Sequence, residues 1–301
     1  MKLNSIKKSL HSQKVAPYVF VLPFVLTFVI FFIYPLVNTT IMSFQDVLPG
    51  QTEFIGLQNY KKLFNDKIFY KALGNSFMYT ILTLLLLIPF PMIFAYFLNG
   101  KNMIGREVFK SVLFLPALVS VVVAGTIFRL IFGELPGSMM NNFIRLFGAE
   151  PIKWLKMQST GFAALLVLAC WRWTGVNIIY FLAGLQNIPT ELYESADIDG
   201  ANGWQKFTKI TIPMLKPTTI YVLTISIYGG LAMFTESYML WNGNNSPQNI
   251  GLTIVGYLYR QGIEKNRMGY ASAVGIILLL LAMLLNVTQL RLTGIVGKEE
   301  D

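Results

Sequence analysis

Two charged side chains stand alone in long apolar stretches. Arg172 is the single Asp, Glu, Lys or Arg between Met157 and Thr190, and Glu236 is the single one between Pro217 and Tyr259. An ionisable group in apolar surroundings is costly, so it persists through a structural partner or a functional role. For Glu236, flanked by Phe234, Thr235 and Tyr238, both readings stay open. For Arg172 the favoured reading is structural, an ion pair or a contact with backbone carbonyls. Catalysis has little else to use. His11 is the only histidine and Cys170 the only cysteine. There is no HExxH, no acid pair within an apolar stretch and no Ser/His/Asp set, so no catalytic and no metal-binding residue is expected. No G-x-x-x-x-G-K-[ST] occurs either. Gly100-Lys101 and Gly297-Lys298 lack the upstream glycine and the following hydroxyl, so no phosphate cradle is expected.

These residues must be positioned by very apolar elements. Of 301 residues, 54% are apolar and only 13% are charged, against about 25% in an ordinary soluble domain. Mean hydropathy is +0.55. Disorder and a disulfide scaffold are excluded by this composition and by the lone cysteine. Four further blocks carry no charge: Val15 to Gln45, Ala72 to Gly100, Ser111 to Phe128 and Met268 to Leu290. A membrane-crossing helix needs about 20 mostly apolar residues. Six spans are therefore expected near 17–41, 76–98, 110–132, 160–184, 218–240 and 269–291. A β-barrel would show short alternating segments instead. The expected fold is an all-α membrane protein in which residues 1–301 form one multi-pass unit. The first apolar block is too long for a signal-peptide core and reads as an uncleaved span.

The net charge of +9 suggests nucleic acid or a membrane. No basic patch supports nucleic acid. Lys and Arg divide 12 to 10 between the two faces implied by six spans. The first span discriminates better: Lys2, Lys7, Lys8 and Lys14 precede it, whereas Asp46 and Glu53 follow it with no nearby Lys or Arg. The positive-inside rule then puts both termini, including Lys298 to Asp301, in the cytoplasm of a cell-membrane protein. External segments fall near 42–75, 133–159 and 241–268.

The inner loop 186–216 is the longest polar inner segment. Thr190 is an expected helix N-cap with Glu191 in the first turn. Leu192, Tyr193 and Ala196 share a face, Gly200 permits a left-handed stop, and a second short helix runs through Trp204, Phe207 and Lys209. Pro213 and Pro217 precede the next span. A helix, a glycine turn and a second helix could be an interfacial connection or a docking knob for a cytoplasmic partner.

Glu194-Ser195-Ala196, three residues, Gly200, nine residues, Ile210 and Ile212-Pro213 resemble the EAA loop of binding-protein-dependent ABC transporter permeases. Ser195 replaces an alanine and Ile212 a leucine of that pattern. The maltose-type sugar permease branch is also resembled by Phe54-x-Gly56-Leu57-x-Asn59-Tyr60 with Leu63, Asp66 and Phe69, and by Met268-Gly269-Tyr270-Ala271-Ser272-Ala273. Where that branch has T-x-G-G-P after span five, this chain has Trp241-Asn242-Gly243-Asn244-Asn245-Ser246-Pro247.

The resemblance implies a permease subunit for a sugar or oligosaccharide and a coupling helix–turn–helix in the cytoplasm. Glu194, Ser195, Ala196 and Gly200 would couple to the ATPase. It implies two ATPase subunits that hold ATP and Mg, a second permease subunit, usually a different chain, and an extracellular solute-binding protein. No cofactor is expected on this chain. The substrate pathway would involve Asn177, Tyr228, Phe234, Thr235, Glu236 and Tyr238. Trp241 reads as an interfacial belt residue, and Gly229-Gly230 as a close helix approach or kink. Alternatives are a permease for a polyol or glycerol phosphate, or a secondary transporter subunit. Straight spans would separate Arg172 from Glu236 by roughly 10 Å in depth.

Overall fold

The computed structural model describes residues 14–100 and 103–294. His11, three of the four leading lysines and the acidic C-terminal residues lie outside the described residues. The chain divides into two compact units, residues 1–65 with 261–277, and residues 66–260 with 278–301.

The first unit contains α1 (Ala16–Ser43), followed by a hairpin of β1 (Gln45–Leu48) and β2 (Gln51–Phe54). The strands pair antiparallel, with Asp46 opposite Glu53. A short helix, α2 (Gln58–Phe64), folds back on the hairpin. Asn59 fixes that fold by donating its side-chain amide to the Ser43 and Gln45 carbonyls at 3.0 and 2.9 Å. Tyr60 donates to the Ser43 hydroxyl at 2.7 Å. The Asn59-Tyr60 pair of the motif is thus a local staple.

The second unit begins at Asp66, which caps α3 (Lys67–Leu87) by accepting from the Ile68 amide at 2.7 Å. The same carboxylate accepts from the Tyr257 hydroxyl at 2.5 Å. α4 (Pro89–Leu98) follows, then α5 (Arg106–Leu118), α6 (Val121–Ile131) and α7 (Met139–Arg145). α8 (Gln158–Gln186) is the organising helix. Phe162, Leu165 and Leu168 on its first half enter one buried cluster, with Phe128 and Leu240. Phe181, Leu182 and Leu185 on its second half enter another, with Met92 and Leu215. α9 (Thr190–Ile198), α10 (Gly203–Met214), α11 (Lys216–Leu231), α12 (Thr235–Leu240) and α13 (Ile254–Tyr259) follow, and α14 (Met268–Leu292) belongs to the first unit up to Ile277 and to the second from Leu278.

Among the described residues, four helices are long and apolar enough to cross a membrane, or up to six if each bent pair counts as one span. The segments expected as simple spans near 110–132 and 218–240 are not single straight helices. α5 and α6 meet at 95°, because Val119 and Ser120 are extended at ψ 132° and 134°. Pro116, inside α5, has already removed one ladder donor there. α11 stops at Leu231, and Phe234 at φ −142° separates it from α12. α10 and α11 also meet at 65°. Trp241 is a packing residue rather than a belt residue: its indole donates to the Leu155 carbonyl at 2.9 Å.

α8 approaches α5 so closely that a Cβ on Gly175 would lie 1.9 Å from the Leu113 carbonyl oxygen. Gly230 likewise meets α3, with a Cβ falling 2.6 Å from the Thr80 hydroxyl. Gly229 faces open space. Gly175→Ala should therefore destabilise the protein by about 1–3 kcal/mol through overpacking, whereas Gly229→Ala should be neutral or mildly stabilising. Melting curves of the purified variants in detergent check this; equal melting temperatures would count against the helix packing described.

Candidate functional site

A cavity of about 280 Å³ lies between α3, α8 and α11, with Glu236 of α12 also on its lining. That is just below the roughly 300 Å³ at which small-molecule pockets begin. Tyr79 and Thr83 reach it from α3, Trp173 and Tyr180 from α8, and Ser226 from α11. Asn177 and Glu236 line it too. Ring faces with a few polar groups are what a polyhydroxylated solute needs.

The polar members are held by the breaks in the helices. Pro91 has no N–H, so the Leu87 carbonyl four residues earlier loses its helical donor. Asn177 replaces that donor, its side-chain amide reaching Leu87 O at 2.7 Å. Arg172 does the same for the break between α5 and α6, donating to Val119 O at 2.7 Å. It also faces Glu236, with Nε 4.0 Å from Oε1. Both side chains are largely buried, 14% and 13% exposed. The pair forms because the chain does not rise straight from α11: after the break at Ala232 to Phe234, α12 brings Glu236 to the level of Arg172. The sequence-based separation of roughly 10 Å assumed unbroken helices.

The other pathway candidates lie elsewhere. Tyr228 is on an outward face of α11, 65% exposed. Phe234 and Tyr238 stack with Tyr259 in a three-ring cluster, with centroids 5.1–5.8 Å apart. Thr235 is half-buried beside them and does not line the cavity. So the structure gathers Asn177 and Glu236, and sets Tyr228, Phe234, Thr235 and Tyr238 apart from that cavity. Tyr79, Thr83, Trp173, Tyr180 and Ser226 were missed by sequence reasoning. Tyr79 and Thr83, four residues apart in an apolar run, were the available signal.

The second candidate surface surrounds α9. α9 starts one residue earlier than expected: Pro189 takes the N-cap place and Thr190 is the first helical residue. Its end is a Schellman turn. Gly200 has φ +74°, its amide donates to Asp197 O at 3.1 Å, and Ala201 N donates to Ala196 O at 2.9 Å. Asn202 and Gln205 then form a reciprocal capping box that opens α10. Lys206 reaches back to Asp197 at 2.6 Å, and this hydrogen bond raises the lysine pKa above its ordinary value. The segment lies outside the spans expected near 160–184 and 218–240. Tyr193 and Thr211 hydroxyls are 2.8 Å apart. The knob this forms borders a groove of about 660 Å³, with Glu194 and Asp197 on one side and Tyr96 and Gly100 on the other. Glu194, Ser195 and Gly200 are exposed and Ala196 is half-buried. Ile198 and Trp204 project beside the turn, 88% and 71% exposed.

A family model described as "Binding-protein-dependent transport system inner membrane component" matches residues 87–294. The chain belongs to this family. It is a multi-pass membrane permease of the ABC importer type, in the sugar permease branch. Over 284 residues it is 55% identical to the arabinooligosaccharides transport system permease protein AraP of Bacillus subtilis (strain 168), spanning 94% of this chain and 90% of that protein. The lactose transport system permease protein LacF of Rhizobium radiobacter is 32% identical over 275 residues, 90% of this chain and 92% of LacF. The crystal structure of a bacterial alginate ABC transporter, in complex with alginate pentasaccharide-bound periplasmic protein, matches with a TM-score of 0.84 at 25% identity. That match covers 98% of each chain.

Replacing Asn177 in this permease by Leu should cost about 1–3 kcal/mol, because the buried Leu87 carbonyl loses its donor. Asn177→Gln, with a longer reach, should lose less. Thermal unfolding of the two variants checks the order; a Leu variant as stable as the parent would remove Asn177 from this structural role.

Proposed function

We propose that this chain is the membrane subunit through which an ATP-driven importer passes a sugar or short oligosaccharide, handed over by an extracellular solute-binding protein. The similarity to AraP and LacF points to such a solute. The cavity between α3, α8 and α11 supplies ring faces and a few polar groups at the scale of one small sugar unit. Up to six crossings follow if each bent pair is one span, with α11 as the crossing arm of its pair and α10 as the arm outside the apolar core. Four lysines ahead of α1 then orient both termini to the cytoplasm.

The observation that carries the coupling reading is the exposed knob of α9, the Gly200 turn and α10. On that orientation it faces the cytoplasm. ATP and Mg belong to two partner ATPase subunits, since this chain carries no phosphate-cradling loop. Each ATPase would grip one such knob, one on this chain and one on a second permease subunit. Closure of the ATPases would push the knob as a lever, and rigid-body rocking would switch the cavity's access from one side to the other. Glu194, Ser195 and Ala196 form the gripped face, and Gly200 sets its angle.

Gly200→Val forces a β-branched residue into a left-handed conformation, although there is open space around it. Ala196→Asp adds bulk and charge to the gripped face. Both variants should reach the membrane at normal level. Sugar uptake and sugar-stimulated ATP hydrolysis should fall by about tenfold or more in the reconstituted importer, the scale of a modest coupling energy. Uptake at parental rate in either variant would overturn the coupling role.

A further inference from the structure

Glu236 is not needed to complete any hydrogen-bond network in the fold. Asn177 and Arg172 both donate to backbone carbonyls at helix breaks. Glu236 caps nothing and accepts no hydrogen bond; its one ionic neighbour is Arg172 at 4.0 Å. Among the described residues that line the cavity, it carries the only formal charge. Its carboxylate is therefore an open acceptor facing the space where a solute would sit.

Arg172 cannot serve an incoming anion in the same way. One terminal nitrogen is committed to Val119 O at 2.7 Å. Its guanidinium carbon lies 5.5 Å from the Trp173 ring centroid, and Nε faces Glu236. One terminal nitrogen is thus committed, Nε faces Glu236 without a hydrogen bond, and the guanidinium does not line the cavity. A hydroxyl-rich uncharged sugar entering the cavity would meet a strong acceptor and the rings of Tyr79, Trp173 and Tyr180. A carboxylated sugar would meet a carboxylate on the lining whose one cationic neighbour, Arg172, lies outside the lining, in surroundings that screen charge poorly.

We propose that Glu236 is a specificity-determining residue that makes this cavity accept uncharged saccharides and reject carboxylated ones. This rests on the sugar-permease reading above. Arg172 acts as the positioning residue, holding Glu236 toward the cavity while anchored at the Val119 break. The contrast with the alginate importer, whose described cargo is an acidic polysaccharide, would then be set inside the membrane on a shared fold.

The test is equilibrium binding of radiolabelled arabinotriose to the purified importer complex, competed by unlabelled arabinotriose or by trigalacturonate. The parental complex should bind arabinotriose and favour it over trigalacturonate by at least about tenfold, as expected for a like-charge contact. Glu236→Gln should weaken arabinotriose binding and bring the two competitors to within about threefold. Glu236→Asp, which keeps the charge, should retain the discrimination. Melting curves and membrane levels establish that each variant is folded. A glutamine variant that is folded and still discriminates as the parent does overturns this inference alone. A parental complex that binds neither sugar overturns it together with the sugar-permease reading.

Discussion

A backbone carbonyl released where a helix breaks has no water to turn to in apolar surroundings, so the protein must supply a donor. Here α8 supplies it twice. Asn177 reaches the Leu87 carbonyl that Pro91 strands, and Arg172 reaches the Val119 carbonyl exposed where α5 turns into α6. Asn75 answers the same demand elsewhere, donating to the Asn249, Ile250 and Leu252 carbonyls at 2.8–3.0 Å. That buried amide helps hold the irregular stretch before α13, together with the Ser237 and Ser246 hydroxyls on Gly251 and the Ser76 hydroxyl on the Ile254 amide.

The cavity is a by-product of the same constraint. Breaks keep neighbouring helices from running parallel along their whole length, and the space left between α3, α8 and α11 is lined by groups already ordered for other reasons. Glycines tighten the surroundings, with Gly175 against α5 and Gly230 against α3, while Gly229 leaves room. The rigidity of the cavity's surroundings follows from this arrangement. Asn177 and Arg172 cannot swing freely without exposing a carbonyl, so the cavity presents a fixed set of rings, hydroxyls and one carboxylate.

The knob around Gly200 is built on the opposite plan. Its geometry comes from contacts a few residues apart: a Schellman turn, a capping box and the Asp197–Lys206 pair. It needs little from the rest of the fold to take shape.

That difference in range explains what was legible. The apolar blocks, the helix–turn–helix at Thr190 to Met214 and the spacing from Glu194 to Pro213 could be read directly, since hydrophobic length and turn chemistry are local. The boundary at Pro189 was missed by one residue. Trp241 was misread because its partner, the Leu155 carbonyl, is 86 residues away in sequence. The partition of the pathway candidates, with Asn177 and Glu236 in the cavity and Tyr228, Phe234, Thr235 and Tyr238 outside it, depended on where helices bend. So did the Arg172–Glu236 pair. The sequence by itself determined that the chain is a bundle of apolar helices with one shaped polar loop, because burial of apolar length and the left-handed preference of glycine act within a few turns. Only the tertiary structure decided which charges meet and which side chains share a cavity, because those depend on breaks whose freed carbonyls are satisfied from distant helices.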